Sequence, residues 1–166
     1  MIWKDSAILL HIIALIILSG GAIGTIIMEL TLWDVALSNT KASAILGKAY
    51  SNFPKFATTG ALLLLISGIN LIAANGWVYW GQSWLTVKLV LFVFLFFHPI
   101  FTVKPAGAKL GILLREESMK NSLEPTSEET IDQIKGYRKI FVRFHIIQFS
   151  VLLVLLFLAT FKPVLF

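Results

Sequence analysis

Four long apolar stretches alternate with polar ones along this chain. They cover residues 6–30, 56–74, 83–102 and 140–161. Each is close to the ~20 apolar residues that a helix needs to cross a bilayer. The first stretch follows a charged start but is too long for a signal peptide and lacks a small-residue cleavage site, so we expect it to be retained. The pattern therefore predicts four membrane-spanning helices, with both termini on one side.

The two longer polar connections, residues 31–55 and 104–139, are predicted to form surface helices. In the first, apolar residues recur at a helical spacing typical of a short amphipathic helix in the membrane interface, with a loop as the alternative. These residues are Ala42, Ile45, Leu46 and Ala49. In the second, Thr126-Ser127-Glu128-Glu129 after Pro125 has the pattern of a helix start, with Ser or Thr as the cap and acids in the first turn. We expect a solvated helical hairpin there.

Composition sets the broad class of the protein. Hydrophobic residues make up 57% of the chain and charged residues only 14%, with a mean hydropathy of +0.84. These values are too apolar for a soluble domain of this length. The predicted fold is an all-α integral membrane protein, a four-transmembrane-helix bundle in a single membrane domain (residues 1–166), with interfacial helices in its two cytoplasmic loops.

The distribution of basic residues predicts the orientation. Of the 14 Lys and Arg residues, Lys4, Lys88 and Lys162 lie on the side of the termini, and the other 11 (14 − 3) flank the two longer loops. By the positive-inside rule the loops face the cytoplasm and both termini face outward, across the inner membrane if the source is bacterial. The same rule explains the net charge of +5, so we see no nucleic-acid signal. The absence of cysteine excludes disulfides, thiolate metal sites, thiol nucleophiles and covalently attached haem.

All three histidines fall inside predicted spans. His98 lies about four residues before the end of the third span and His145 about four after the start of the fourth, so both are ~6 Å inside the same boundary at ~1.5 Å per residue. Two imidazoles at one depth can hold a b-type haem from opposite faces. No carboxylate is evident to orient either ring, which leaves backbone carbonyls, Gln148 or water. Arg143 is either a positive-inside anchor or a partner for a haem propionate.

A second group, His11, Asn70 and Lys88, is predicted at one level near the opposite boundary. It could be a haem site with His11 as its ligand, or a pocket in which Lys88 or His11 handles a proton. The blander interpretation is that His11 packs and Lys88 reaches toward the headgroups. Gly20 and Gly24 have the GxxxG spacing of a groove that admits a neighbouring helix or a flat ring.

Three short stretches carry a family resemblance. They are Trp3-Lys4 with Leu10-His11-Ile12-Ile13, Trp84-Leu85-Thr86-Val87-Lys88-Leu89 with His98 ten residues later, and Lys162-Pro163. Together they resemble the HemJ-type protoporphyrinogen oxidases and the related CopD and DUF2269-like four-helix membrane proteins. The resemblance implies a b-haem within four helices, with His11 and Lys88 matching the family's first-helix histidine and third-helix lysine.

The last helix departs from that family pattern. Where HemJ-type proteins carry Asn-Glu and a proline, this chain has Arg143-Phe144-His145-Ile146. The acid that the resemblance implies for catalysis is therefore absent from this helix, and His145 instead favours bis-histidine ligation with His98.

Three functions follow as hypotheses, and the sequence leaves open whether the protein is an enzyme. The first is a membrane cytochrome with one or two b haems that moves electrons from a quinol or to a small oxidant. Its candidate partners are lipid, a quinone or porphyrin, another redox protein and a second copy of the chain. The second is HemJ-like oxidation of a porphyrinogen at His11 and Lys88. The third is a non-haem accessory or copper-handling subunit, which scarce methionine and absent cysteine argue against.

Overall fold

The computed structural model describes residues 2–38, 40–119 and 127–162, and these form six α-helices without a strand. The helices are α1 (Ile2–Ser38), α2 (Thr40–Tyr50), α3 (Phe53–Ala74), α4 (Ser83–Phe101), α5 (Val103–Met119) and α6 (Glu128–Phe161). By length and composition four helical stretches could cross a membrane: Trp3–Ala36, Phe53–Ala74, Ser83–Met119 and Glu128–Phe161. The predicted all-α fold with four spans is confirmed.

Two of these helices are longer than the apolar runs that predicted them. Helix α1 continues past residue 30 to Ser38, and α6 begins at Glu128, well before residue 140. The predictions ended where hydropathy fell, but a continuous helix keeps its backbone hydrogen bonds satisfied as it leaves the bilayer. The side chain of Ser127 caps α6, accepting from the backbone N of Thr130 at 3.2 Å, as the sequence predicted.

Helices α1 and α3 pack closely through small residues. A Cβ on Gly21 would lie 2.9 Å from the Cα of Ala57, and one on Gly60 would lie 2.7 Å from the Cα of Leu18. Gly20, by contrast, has open space beside it, and Gly24 faces only the side chain of Phe53. The predicted Gly20/Gly24 groove is thus replaced by close contact through Gly21 and Gly60.

Replacing Gly21 with alanine should lower the free energy of unfolding by about 1–3 kcal/mol, because the added methyl overlaps the backbone of α3. Thermal unfolding of the detergent-solubilised protein, followed by circular dichroism, measures the change. Gly20→Ala is the matched control, since it adds the same methyl next door in open space. Equal destabilisation by both variants would contradict this account of the α1–α3 contact.

The largest buried core lies at the end of the bundle that carries α2 and α5, called here the loop end. It joins the end of α1, helix α5 and the first half of α6. Its fully buried members are Trp33, Ala36, Ala106, Leu110, Leu114, Ile134 and Phe141. The predicted hairpin is therefore present as α5 and the start of α6, although one face of α5 is buried rather than solvated. Residues 120–126, between them, lie outside the described part of the chain.

The predicted helix in the first connection is also present, as α2, but its apolar face differs from the prediction. Ile45 is 76% exposed, whereas Ser43 is fully buried and Tyr50 half-buried. Helix α2 packs against α1 and α5, so its orientation follows those neighbours. Among the spanning helices, α1 packs against α3 and α4 packs against α6.

Candidate functional site

A carboxylate is buried near the loop end of α1 and bonded to a histidine of α6. Glu29 is only 4% exposed, and its Oε2 lies 2.8 Å from Nε2 of His145. A charged group in so apolar a place is costly unless it is paired, and ionisable residues inside membrane helices often mark functional sites. Glu29 and His145 thus form a hydrogen-bonded pair in which both side chains are largely shielded from solvent.

Two further side chains bond to the same carboxylate. Trp33, one turn after Glu29 on α1, donates its indole N–H to Oε1 at 3.2 Å, and the hydroxyl of Tyr50 also hydrogen-bonds to Glu29. Burial, followed by the negative charge and hydrogen bond of Glu29, raises the pKa of Tyr50, so the phenol stays neutral. The ring of Trp33 is itself held edge-on by Phe141 at 5.6 Å. Three helices thus converge on one carboxylate.

Sequence reasoning missed Glu29. The expectation that no carboxylate would orient a histidine was wrong, because Glu29 comes from α1, 116 positions away from His145 along the chain. A signal was present: an acidic residue at the edge of an otherwise apolar span, with an indole one turn later.

His98 packs between aromatic rings. Its imidazole stacks on Phe94 at 4.9 Å and on Phe144 at 5.2 Å, and its Nδ1 is buried without a hydrogen-bond partner among the described residues. Phe144 also contacts the ring of His145 at 5.2 Å. The structure therefore brings both predicted ligands to the same phenylalanine. A haem shared by the two histidines stays a prediction, since the ring of Phe144 packs against both imidazoles.

His11 is held by a serine of α3. The fully buried Ser67 hydroxyl donates to the carbonyl of Leu64 at 3.1 Å and lies 2.8 Å from Nδ1 of His11. A hydroxyl has a single proton, so Nδ1–H must be the donor to Ser67. The other ring nitrogen, Nε2, is then left as a lone-pair acceptor.

The charge of Lys88 acts electrostatically on His11, and their predicted common level stays a prediction. Asn70 is less involved, since its amide donates to the Ile66 carbonyl of its own helix at 3.0 Å. Arg143 is exposed on α6 and lines none of the cavities described below. Among the described residues, no cluster of three His, Asp or Glu side chains could hold a metal ion alone.

A cavity of about 210 Å³ separates the two helix pairs. Its wall is mostly apolar, and its polar residues are Ser19, Thr25, Tyr50, Thr58, His145 and Gln148. Two neighbouring cavities of about 470 and 490 Å³ are both lined by Glu29. The Glu29–His145 pair therefore stands where three cavities approach one another.

Comparison with known protein families gives a match over most of the chain. A family model described as a predicted integral membrane protein matches residues 7–163, which is nearly the whole chain. No curated protein and no solved structure matches it.

Proposed function

Because the chain belongs to the DUF2269 family of predicted integral membrane proteins, we propose a function carried out inside the bilayer: it binds haem b among its helices and transfers electrons. The observation that carries the proposal is the hydrogen bond from His11 Nδ1 to Ser67. That bond selects the tautomer in which Nε2 is free to ligate.

The surroundings of His11 suit a haem ligand. Histidines that bind metals almost always donate their other ring N–H to a neighbouring acceptor, which orients the ring and raises its basicity. Imidazole is a common axial ligand of haem, and the apolar helices around it would exclude water. Haem b, once bound, would supply a one-electron carrier at the depth of His11. This chain's own part is to hold the imidazole and set the local charge, to which Lys88 contributes.

His98 and His145 form the alternative ligand pair, with Arg143 as the candidate partner for a propionate. It is supported by Nδ1 of His98, which is buried and has no hydrogen-bond partner in the part of the chain that the structure describes, and which ligation would satisfy. A quinol or small oxidant and a second redox protein remain the proposed electron partners.

The test is the visible absorption spectrum of the purified protein, expressed with ample haem precursor, together with pyridine haemochrome quantitation. We expect a Soret band, a reduced b-type α band and one or two haems per chain. Protein that is folded by circular dichroism and carries no haem would refute the proposal. A matched preparation of the His11→Ala variant separates specific haem from haem that only partitions into detergent.

A second candidate is HemJ-like oxidation of a porphyrinogen, favoured by the approach of Lys88 to His11. Expression in a strain that lacks protoporphyrinogen oxidase tests it. Growth should be restored by the native chain and lost with Lys88→Met, which keeps the length of the side chain but removes its charge. Restoration by both forms would exclude a role for this lysine.

A further inference from the structure

The wall of the cavity between the helix pairs carries hydrogen-bond acceptors to which no donor of the described residues is bonded. Oε1 of Gln148 is buried and has no hydrogen-bond partner among the described residues. One turn earlier on the same face of α6 is His145, and both side chains line the cavity. With Glu29 ionised, the Nε2 proton of His145 lies in the bond to the carboxylate, so Nδ1 is the basic nitrogen of the ring.

The hydroxyl of Ser19 lines the cavity but does not bond to Oε1 of Gln148, and the other hydroxyls on the wall are already used. The hydroxyls of Thr25 and Thr58 donate to carbonyls of their own helices at 2.7 and 2.9 Å, and that of Tyr50 is bonded to Glu29. An acceptor buried without a partner loses its hydration and gains nothing in return. A molecule that satisfies Gln148 must therefore bring its own donor.

The apolar lining and the volume of the cavity indicate the size and the polarity of the rest of the ligand. Ala22, Ala61, Phe92 and Leu95 are among the apolar residues around the cavity, which lies between membrane-spanning helices. Ligand sites are usually about 300–1,000 Å³, so about 210 Å³ suits a single ring better than a porphyrin. The fitting chemistry is a ring hydroxyl on a molecule that dissolves in lipid.

We propose that this cavity binds a lipid-soluble quinol, one ring hydroxyl of which donates to Oε1 of Gln148 and the other to Nδ1 of His145. The site does not depend on the haem proposed above.

Calorimetric titration of the protein in lipid nanodiscs under anaerobic conditions tests the proposal, with empty nanodiscs subtracted. The probes are decylubiquinol, decylubiquinone and the dimethyl ether of the quinol. The quinol should bind saturably at one per chain and about tenfold more tightly than the quinone, while the ether, which has no donor, should not bind. Gln148→Leu should remove most of the preference for the quinol.

A second pair of variants tests the location. Ala22→Phe fills the cavity, whereas Ile23→Phe adds a ring at a position that is 54% exposed toward lipid. The first should abolish saturable binding and the second should leave it intact. Equal binding of all three probes, or undiminished binding by Ala22→Phe, would overturn the proposal. If that variant fails to fold, Gln148→Leu decides alone. Quinol binding by protein that has no Soret band would refute the haem proposal but support the quinol proposal.

Discussion

Replacing His145 with alanine should lower the free energy of unfolding by about 1–3 kcal/mol, the usual cost of leaving a buried polar group without one of its hydrogen bonds, because Glu29 loses the donor at Nε2. The carboxylate of Glu29 would stay 4% exposed with only Trp33 and Tyr50 to bond it. Denaturant or thermal unfolding of the detergent-solubilised protein measures the loss. Ile146→Ala, a neighbouring truncation at a position that is 61% exposed, should cost far less.

A double-mutant cycle separates the pair from simple packing. In a Glu29→Gln background, which has no charge to leave stranded, His145→Ala should cost much less than in the native chain. An equal cost in both backgrounds would show that His145 stabilises the fold by packing alone, and that the bond to Glu29 contributes nothing.

Replacing His11 with alanine should remove nearly all bound haem, since no other group would offer Nε2 at that position. Ser67→Ala should weaken haem retention about 10- to 100-fold, the usual effect of removing the acceptor that orients a metal-bound histidine. The measurement is haem per chain, by pyridine haemochrome, after washing with apo-myoglobin as an acceptor. Ser19→Ala is the control, because Ser19 lines the cavity and is not the partner of His11.

The same series separates the two proposed arrangements of ligands. If His98→Ala and His145→Ala each remove the bound haem while His11→Ala does not, the iron lies at the loop end and Phe144 has moved aside. If only His11→Ala does so, the loop-end histidines serve other purposes. The roles of His145 would then be its hydrogen bond to Glu29 and its place in the lining of the cavity.

Local pattern predicted much of the fold. Spans, surface helices and the Ser127 cap depend on hydropathy, length and a few neighbouring residues, all of which can be read along the chain. The helix ends were harder to place, because α1 and α6 continue as helices after their apolar character has ended. The depths of the histidines were predicted by the same counting along the chain.

What the chain specified by itself is therefore an all-helical membrane protein with polar residues at definite depths. Only tertiary packing decided which faces meet, because successive helical residues point about 100° apart and hydropathy in lipid does not select among them. The rotation of α1 about its axis put Gly21 rather than Gly20 against α3, and it turned Glu29 toward His145 of α6. A carboxylate and an imidazole 116 positions apart became partners because the packing of α1 and α6 turned both side chains toward each other, where each satisfies the other's hydrogen bonding.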